Sequence, residues 1–134
     1  MEIIKLYNIA EEGGVTVGFF PLKETKGVYI ECDGKEYIAL SDSCSPADEK
    51  VVLAHELGHC MTGGGYDISS GSLMRIRLEK KAERWAIERL VPLCELKNAI
   101  KQGDEAIPDL AERFGVTVGF MHKVFEHYRD RVSA

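Results

Sequence analysis

Two histidines and a glutamate stand close together in one short stretch of the chain, His55-Glu56-Leu57-Gly58-His59. On a helix, residues four positions apart project from the same face, so His55 and His59 are spaced to bind one metal ion. Imidazole nitrogens bind zinc at about 2.0–2.1 Å. Glu56 is turned by about 100° from His55, where its carboxylate can accept a proton from an attacking water. The pattern predicts two zinc ligands and a general base.

The residues around this stretch favour a helix. The apolar run 51–54 precedes the histidines, Ser45–Pro46 can start the helix because proline is tolerated in a first turn, and Gly63–Gly65 can end it. A chance match on an ordinary helix is the alternative interpretation, with the histidines as structural groups. Polar side chains within an apolar run nevertheless need partners, and a zinc ion would provide one.

A catalytic zinc usually has three protein ligands and keeps a fourth position for water, so the motif lacks one ligand. The candidates lie further along the chain: Glu79, Glu83, Glu88, His122 and His127. Glu79 and Glu83 share a helical stripe with Ala86 and Leu90, which is acidic at one end and apolar at the other. We predict that Glu79 is the third ligand and that Glu83 hydrogen-bonds a histidine Nδ1–H. Alternatively, both glutamates belong to a solvated charged run over 79–84.

Length and composition narrow the class of protein. The chain has 134 residues, enough for one domain over 1–134, and its net charge of −5 argues against a dedicated nucleic-acid binder. The four cysteines form no C-x-x-C pair, and neither a signal-peptide pattern nor an apolar run of membrane-spanning length is present. We expect reduced thiols, no membrane span and a cytoplasmic location.

The order of apolar periods and turn signals predicts an α+β fold. We expect a small three-stranded antiparallel sheet, a zincin-like pair of long helices and a helical C-terminal part. A helix is predicted over 2–12, strands over 15–20, 27–32 and 35–40, the motif helix, a polar loop over 66–72, and helices over 73–90, 93–102 and, in two pieces around Gly115, 107–128. Asp33–Gly34 is a two-residue hairpin signal. The strand over 37–40 is the candidate edge for an extended substrate, unless the chain itself covers it.

A hexapeptide, Gly-Val-Thr-Val-Gly-Phe, occurs twice, at 14–19 and at 115–120. Its flanks have a strand-like period at the first position and a helical period at the second. We interpret the repetition as coincidence and not as a structural repeat.

Two separated motifs together resemble the signature of the ImmA/IrrE family of metallopeptidases. They are His55-Glu56-Leu57-Gly58-His59 and Glu79-x-x-Ala82-Glu83-x-Trp85-Ala86, the second followed by Leu90-Val91-Pro92. In that family, H-E-L-G-H is followed by a pattern close to E-x-x-A-[ND]-x-F-A, so this chain departs at positions 83 and 85. The resemblance covers essentially the whole chain and extends to phage-associated members. It implies a zinc-dependent endopeptidase that cleaves a helix-turn-helix repressor of a phage or mobile element and relieves repression.

The competing hypothesis is a non-proteolytic regulator or a DNA-binding protein. Residues 109–117, with Phe120 and Val124, have the rhythm of a helix-turn-helix segment. The second helix of that segment carries only Lys123 as a base in its central part, which is a weak basic footprint. We therefore expect a protein partner and no direct contact with nucleic acid. A zinc-containing scaffold without activity is a further alternative.

Overall fold

The computed structural model describes residues 1–64, 69, 71–104 and 106–132. Its elements are α1 (Ile3–Glu12), β1 (Val15–Phe20), β2 (Gly27–Cys32), β3 (Lys35–Ser41), α2 (Pro46–Met61), α3 (Ser72–Leu90), α4 (Leu93–Lys101), α5 (Ile107–Phe114) and α6 (Val118–Val132). The α+β class and the predicted order of elements are confirmed. Most of the predicted loop over 66–72, and Gly65 of the glycine run, lie outside the described residues.

The three strands form one mixed sheet in the order β1-β3-β2. β2 runs antiparallel to β3, but β1 runs parallel to it, so the expectation of a purely antiparallel sheet is wrong. The connection from β1 to β2 passes the end of β3: the Ser41 N–H donates to the Lys26 carbonyl and the Asp42 N–H to the Phe20 carbonyl. β3 takes the central place, where its apolar residues Ile38 and Leu40 are buried.

The hairpin between β2 and β3 is confirmed. Asp33 and Gly34 both have positive φ, 53° and 76°, as a two-residue type I′ turn requires at its two central positions. The strand over 37–40 lies within β3 and is hydrogen-bonded on both sides, so its prediction as the sheet edge is wrong. The edge strand that contacts α2 is β2.

Helix α2 begins where the sequence predicts. The Ser45 side chain accepts a hydrogen bond from the Asp48 N–H, the Asp48 side chain accepts one from the Ser45 N–H, and Pro46 occupies the first turn. This capping box satisfies two backbone donors that would otherwise have no partner within the helix. The helix ends at Met61, just before Gly63. Local signals at both ends therefore define the segment that carries the histidines.

The core of the described residues is one cluster of buried apolar side chains drawn from all six helices and from β1 and β3. Helix α2 contacts β2 and β3 and also packs along α3. On α3, Ala86 and Leu90 are buried, as the apolar end of the predicted stripe requires. No helix in the described part of the chain combines the length and apolar character needed to cross a membrane.

Candidate metal centre

Helix α2 places His55 and His59 one turn apart on the same face. Their ring centroids are 5.1 Å apart, and the ring planes lie at 80° to each other. The His59 side chain is almost fully buried, whereas 29% of the His55 side chain is exposed. One of the two predicted ligands is thus held inside the protein and the other borders the solvent.

Glu79 on α3 meets both histidines. Its Oε2 lies 2.9 Å from His55 Nε2 and its Oε1 lies 3.1 Å from His59 Nε2. One potential ligand atom from each of these three residues falls within 4.8 Å of the others. The structure therefore brings together the three residues that the sequence predicts as metal ligands.

The donor atoms lie close enough to share one divalent cation. Tetrahedral bonds of about 2.0–2.1 Å place ligand atoms roughly 3.3–3.4 Å apart. The two nitrogen–oxygen separations, one to each oxygen of Glu79, are 2.9 and 3.1 Å, and one donor atom of each residue lies within 4.8 Å of the others. Two imidazoles with one carboxylate are also a donor set found at catalytic zinc sites. The geometry and the chemistry of the three side chains both suit such an ion.

Glu56 lies beside this cluster and is 9% exposed. Burial, together with the smaller effect of the nearby charge of Glu79, raises the pKa of its carboxyl group to about 7. A Cβ added to Gly27 at the start of β2 would lie 3.5 Å from Glu56 Cγ. Glu56 therefore sits between the metal-binding cluster and the beginning of the edge strand.

The surroundings of His59 hold it in a neutral, oriented form. The Tyr29 ring on β2 stacks on the His59 ring with centroids 6.2 Å apart and 20° between the planes. The Tyr29 hydroxyl donates to Glu36 Oε2 at 2.8 Å, which anchors that ring. Burial lowers the pKa of His59, against the opposing effect of Glu79, and the neutral imidazole is the form that binds metals.

Helices α2 and α3 approach closely at Gly58 and Ala82. A Cβ added to Gly58 would lie 2.5 Å from the Ala82 carbonyl oxygen and 2.9 Å from Ala82 Cα. These two small residues let Glu79 reach the histidines across the helix pair. Both residues belong to the two sequence motifs, where a glycine and an alanine at these positions were the available signal for a close helix contact.

Gly58→Ala is expected to lower the free energy of unfolding by about 1–3 kcal/mol, because its clash is with backbone and forces the two helices apart. The matched control is Gly119→Ala on α6, where an added Cβ meets nothing within 4 Å. That control is expected to be neutral or stabilising by up to about 1 kcal/mol, since alanine is the better helix former. Urea unfolding of both variants measures the difference. Equal free energies of unfolding for the two variants would contradict the close approach of α2 and α3 at Gly58.

Glu83 lies one turn beyond Glu79, and its Oε1 is 3.2 Å from the Lys123 ammonium of α6. Among the described residues, the Glu83 carboxylate forms an ion pair with this lysine and not with a histidine ring. Its predicted role in orienting a histidine stays a prediction.

The other candidate ligands lie outside the cluster of His55, His59 and Glu79. Glu88 contacts Arg84 and His127, and His122 is exposed.

Helices α5 and α6 form the predicted helix-turn-helix-like segment, with Gly115 in the left-handed conformation between them. Four of the described side chains of α6 belong to the core, namely Phe120, Met121, Val124 and Tyr128. Lys123, the base in its central part, pairs with Glu83. This geometry gives α6 a packing role, and the hypothesis of DNA binding stays untested.

Comparison with known proteins adds one finding to this geometry. Residues 10–125 match the model of peptidase family M78, which is described as the IrrE N-terminal-like domain. That range contains both helices of the candidate metal centre. Among curated proteins, no relative matches the chain.

Proposed function

The chain belongs to the M78 peptidase family of IrrE N-terminal-like domains, and we propose that it is a zinc-dependent endopeptidase. The observation that carries this proposal is the convergence of His55, His59 and Glu79 with the buried carboxylate of Glu56 beside them. Three protein ligands leave one position of a tetrahedral zinc for water or substrate, as in catalytic zinc sites. A purely structural zinc would be expected to have four protein ligands.

Glu56 is the general base of the proposed reaction. A bound divalent ion supplies Lewis-acid chemistry, polarising a peptide carbonyl and making water a sufficient nucleophile near neutral pH. A carboxylate oxygen of Glu56 accepts the proton of the attacking water and returns it to the nitrogen of the leaving amine. His55, His59 and Glu79 would hold the ion, and the Tyr29 ring keeps His59 in its orientation.

Within the described residues, no further strand pairs with the outer edge of β2, which therefore offers an extended substrate its main-chain partners. The Ser41 N–H donates to the Lys26 carbonyl, so residues 26 and 41 form a hydrogen-bonded pair. Hydrogen-bonded and non-hydrogen-bonded pairs alternate along antiparallel strands. The N–H and C=O groups of Gly27, Tyr29 and Glu31 therefore point away from β3. The Thr25 hydroxyl donates to the Gly27 carbonyl, as an outward orientation allows. This edge begins next to Glu56, so a paired substrate strand passes the base and the metal ligands.

We further propose that the substrate is a helix-turn-helix repressor of the phage or mobile element that carries this protein. The resemblance of the two motifs to the ImmA/IrrE signature supports this choice. The net charge of −5 also suits a partner with a basic DNA-binding surface. Cleavage would separate parts of the repressor and end repression.

Incubation of the zinc-loaded protein with such a repressor tests the proposal. We expect one discrete cleavage, detected by gel electrophoresis and located by mass spectrometry, and we expect a zinc chelator to abolish it and added zinc to restore it. An intact repressor that nevertheless binds the zinc-loaded protein would overturn the peptidase proposal in favour of a scaffold.

A further inference from the structure

A cavity of about 460 Å³ lies next to the candidate metal centre, with His55, Glu56 and Glu79 in its lining. It extends from the start of β2, across the middle of α2 and the facing part of α3, to the first half of α6. The proposed reaction uses only one end of it. The remainder is a space that a substrate side chain next to the scissile bond can enter.

One side of this cavity is apolar. Val51 and Val52 of α2 and Phe120 of α6 contribute to its lining. Val51 precedes His55 by four residues and Val52 precedes Glu56 by four, so the valines continue the face that carries the ligand and the base by one helical turn. The Val52 side chain abuts the backbone of Gly27, which closes the cavity on the side of the sheet.

The lysines that line the cavity are already paired. Lys26 Nζ lies 2.9 Å from Asp48 Oδ2, and Lys123 Nζ lies 3.2 Å from Glu83 Oε1. Both lysine side chains are more than half exposed. An anionic substrate side chain would therefore have to displace Asp48 or Glu83 from its lysine, whereas an apolar side chain meets the two valines and the phenylalanine without that cost.

We propose that this cavity is the subsite for the substrate residue next to the scissile bond and that it selects a large apolar side chain such as leucine or phenylalanine. The proposal rests on the proposed peptidase function, because it takes the metal centre as the place of cleavage. Val51 and Val52 are its specificity-determining residues. Glu83 and Lys123 form its wall on the side of α3 and α6.

Dipeptide hydroxamates test the subsite on the zinc-loaded protein, because the hydroxamate group chelates zinc whatever side chain follows it. Five compounds that differ only in one side chain, namely Ala, Leu, Phe, Glu or Lys, are compared by calorimetry. We expect the Leu and Phe compounds to bind at least about tenfold more tightly than the Ala compound. The Glu compound is expected to bind no more tightly than the Ala compound, because both lysines are paired. Tighter binding of the Lys compound than of the Leu compound would overturn the apolar preference, since three glutamates also line the cavity. Equal affinity for all five would overturn the subsite alone, whereas no binding of any would overturn the peptidase proposal as well.

Val52→Thr keeps the shape of the side chain but puts a hydroxyl group into the apolar wall. It is expected to reduce the preference for Leu over Ala by on the order of fivefold, because the bound apolar side chain leaves that hydroxyl poorly solvated. Val51→Thr is the second variant, in case the first does not fold. Val17→Thr is the matched control, since Val17 is a half-buried valine of β1 outside the cavity lining. An unchanged preference in a folded Val51 or Val52 variant would overturn the assignment of that valine, and unchanged preferences in both would overturn the subsite.

Discussion

Replacing Glu56 by glutamine is expected to reduce repressor cleavage by at least about 100-fold, the lower range of what general acid–base catalysis contributes. The amide has the same shape as the carboxyl group but cannot accept the proton of the attacking water. Glu56 is buried and is not one of the three converging ligands. The zinc content should therefore stay at one equivalent, and loss of a buried carboxylate should not lower the free energy of unfolding.

Cleavage rate, zinc content and urea unfolding of Glu56→Gln separate the proposed functions. Glu112→Gln, the same substitution at an exposed position on α5, is the control and should cleave normally. Full cleavage by Glu56→Gln would show that another group is the base. A scaffold would be indicated if neither the wild-type chain nor the variant cleaved a repressor that both bound.

Replacing Glu79 by glutamine is expected to weaken zinc binding by more than 100-fold, because a neutral amide replaces the charged ligand that faces both histidine Nε2 atoms. Glu83→Gln is the matched control, with the same substitution one turn further along α3. Glu83 contacts Lys123 in the structure. Its substitution is expected to cost at most the roughly 10–100-fold that an outer hydrogen-bonding partner contributes to metal affinity.

Competition with a chromophoric zinc chelator measures both affinities on the same scale. His55→Ala and His59→Ala should each lose stoichiometric zinc as well, since each removes one of the three donors. If Glu83→Gln lost more affinity than Glu79→Gln, the roles of ligand and orienting group would have to be exchanged. Retention of full zinc content by both histidine variants would exclude this site.

Features governed by neighbouring residues could be predicted from the sequence. The start of α2 depends on Ser45, Pro46 and Asp48, which act within one turn. The hairpin depends on two residues that tolerate positive φ. The common face of His55 and His59 follows from the helical period alone. These features are local, so the order of residue types is sufficient to specify them.

Features that depend on packing between distant elements could not be predicted from residue patterns alone. The connection over 21–26 crosses the end of β3, so that β1 and β2 lie on opposite sides of it. No turn signal in the sequence indicates this crossing. The proposed substrate edge is therefore β2, because β3 is the central strand. The meeting of Glu79 with the histidines depends on the close contact of Gly58 with Ala82, although the spacing and the family resemblance had already favoured Glu79.

The repeated hexapeptide shows the same limit within one chain. Its first copy forms the turn into β1 and most of that strand, whereas its second copy ends at Phe120 in the first turn of α6. The periodicity of apolar residues on either side predicted this difference, but the six residues alone do not distinguish a strand from a helix. In the first copy, strand pairing with β3 satisfies the backbone, while in the second the Thr117 hydroxyl accepts the Phe120 N–H at the helix start. The sequence by itself determined the helix face that carries His55, Glu56 and His59. Tertiary packing decided which strand borders that face and brought Glu79 to it, because those contacts join residues that are distant in the chain.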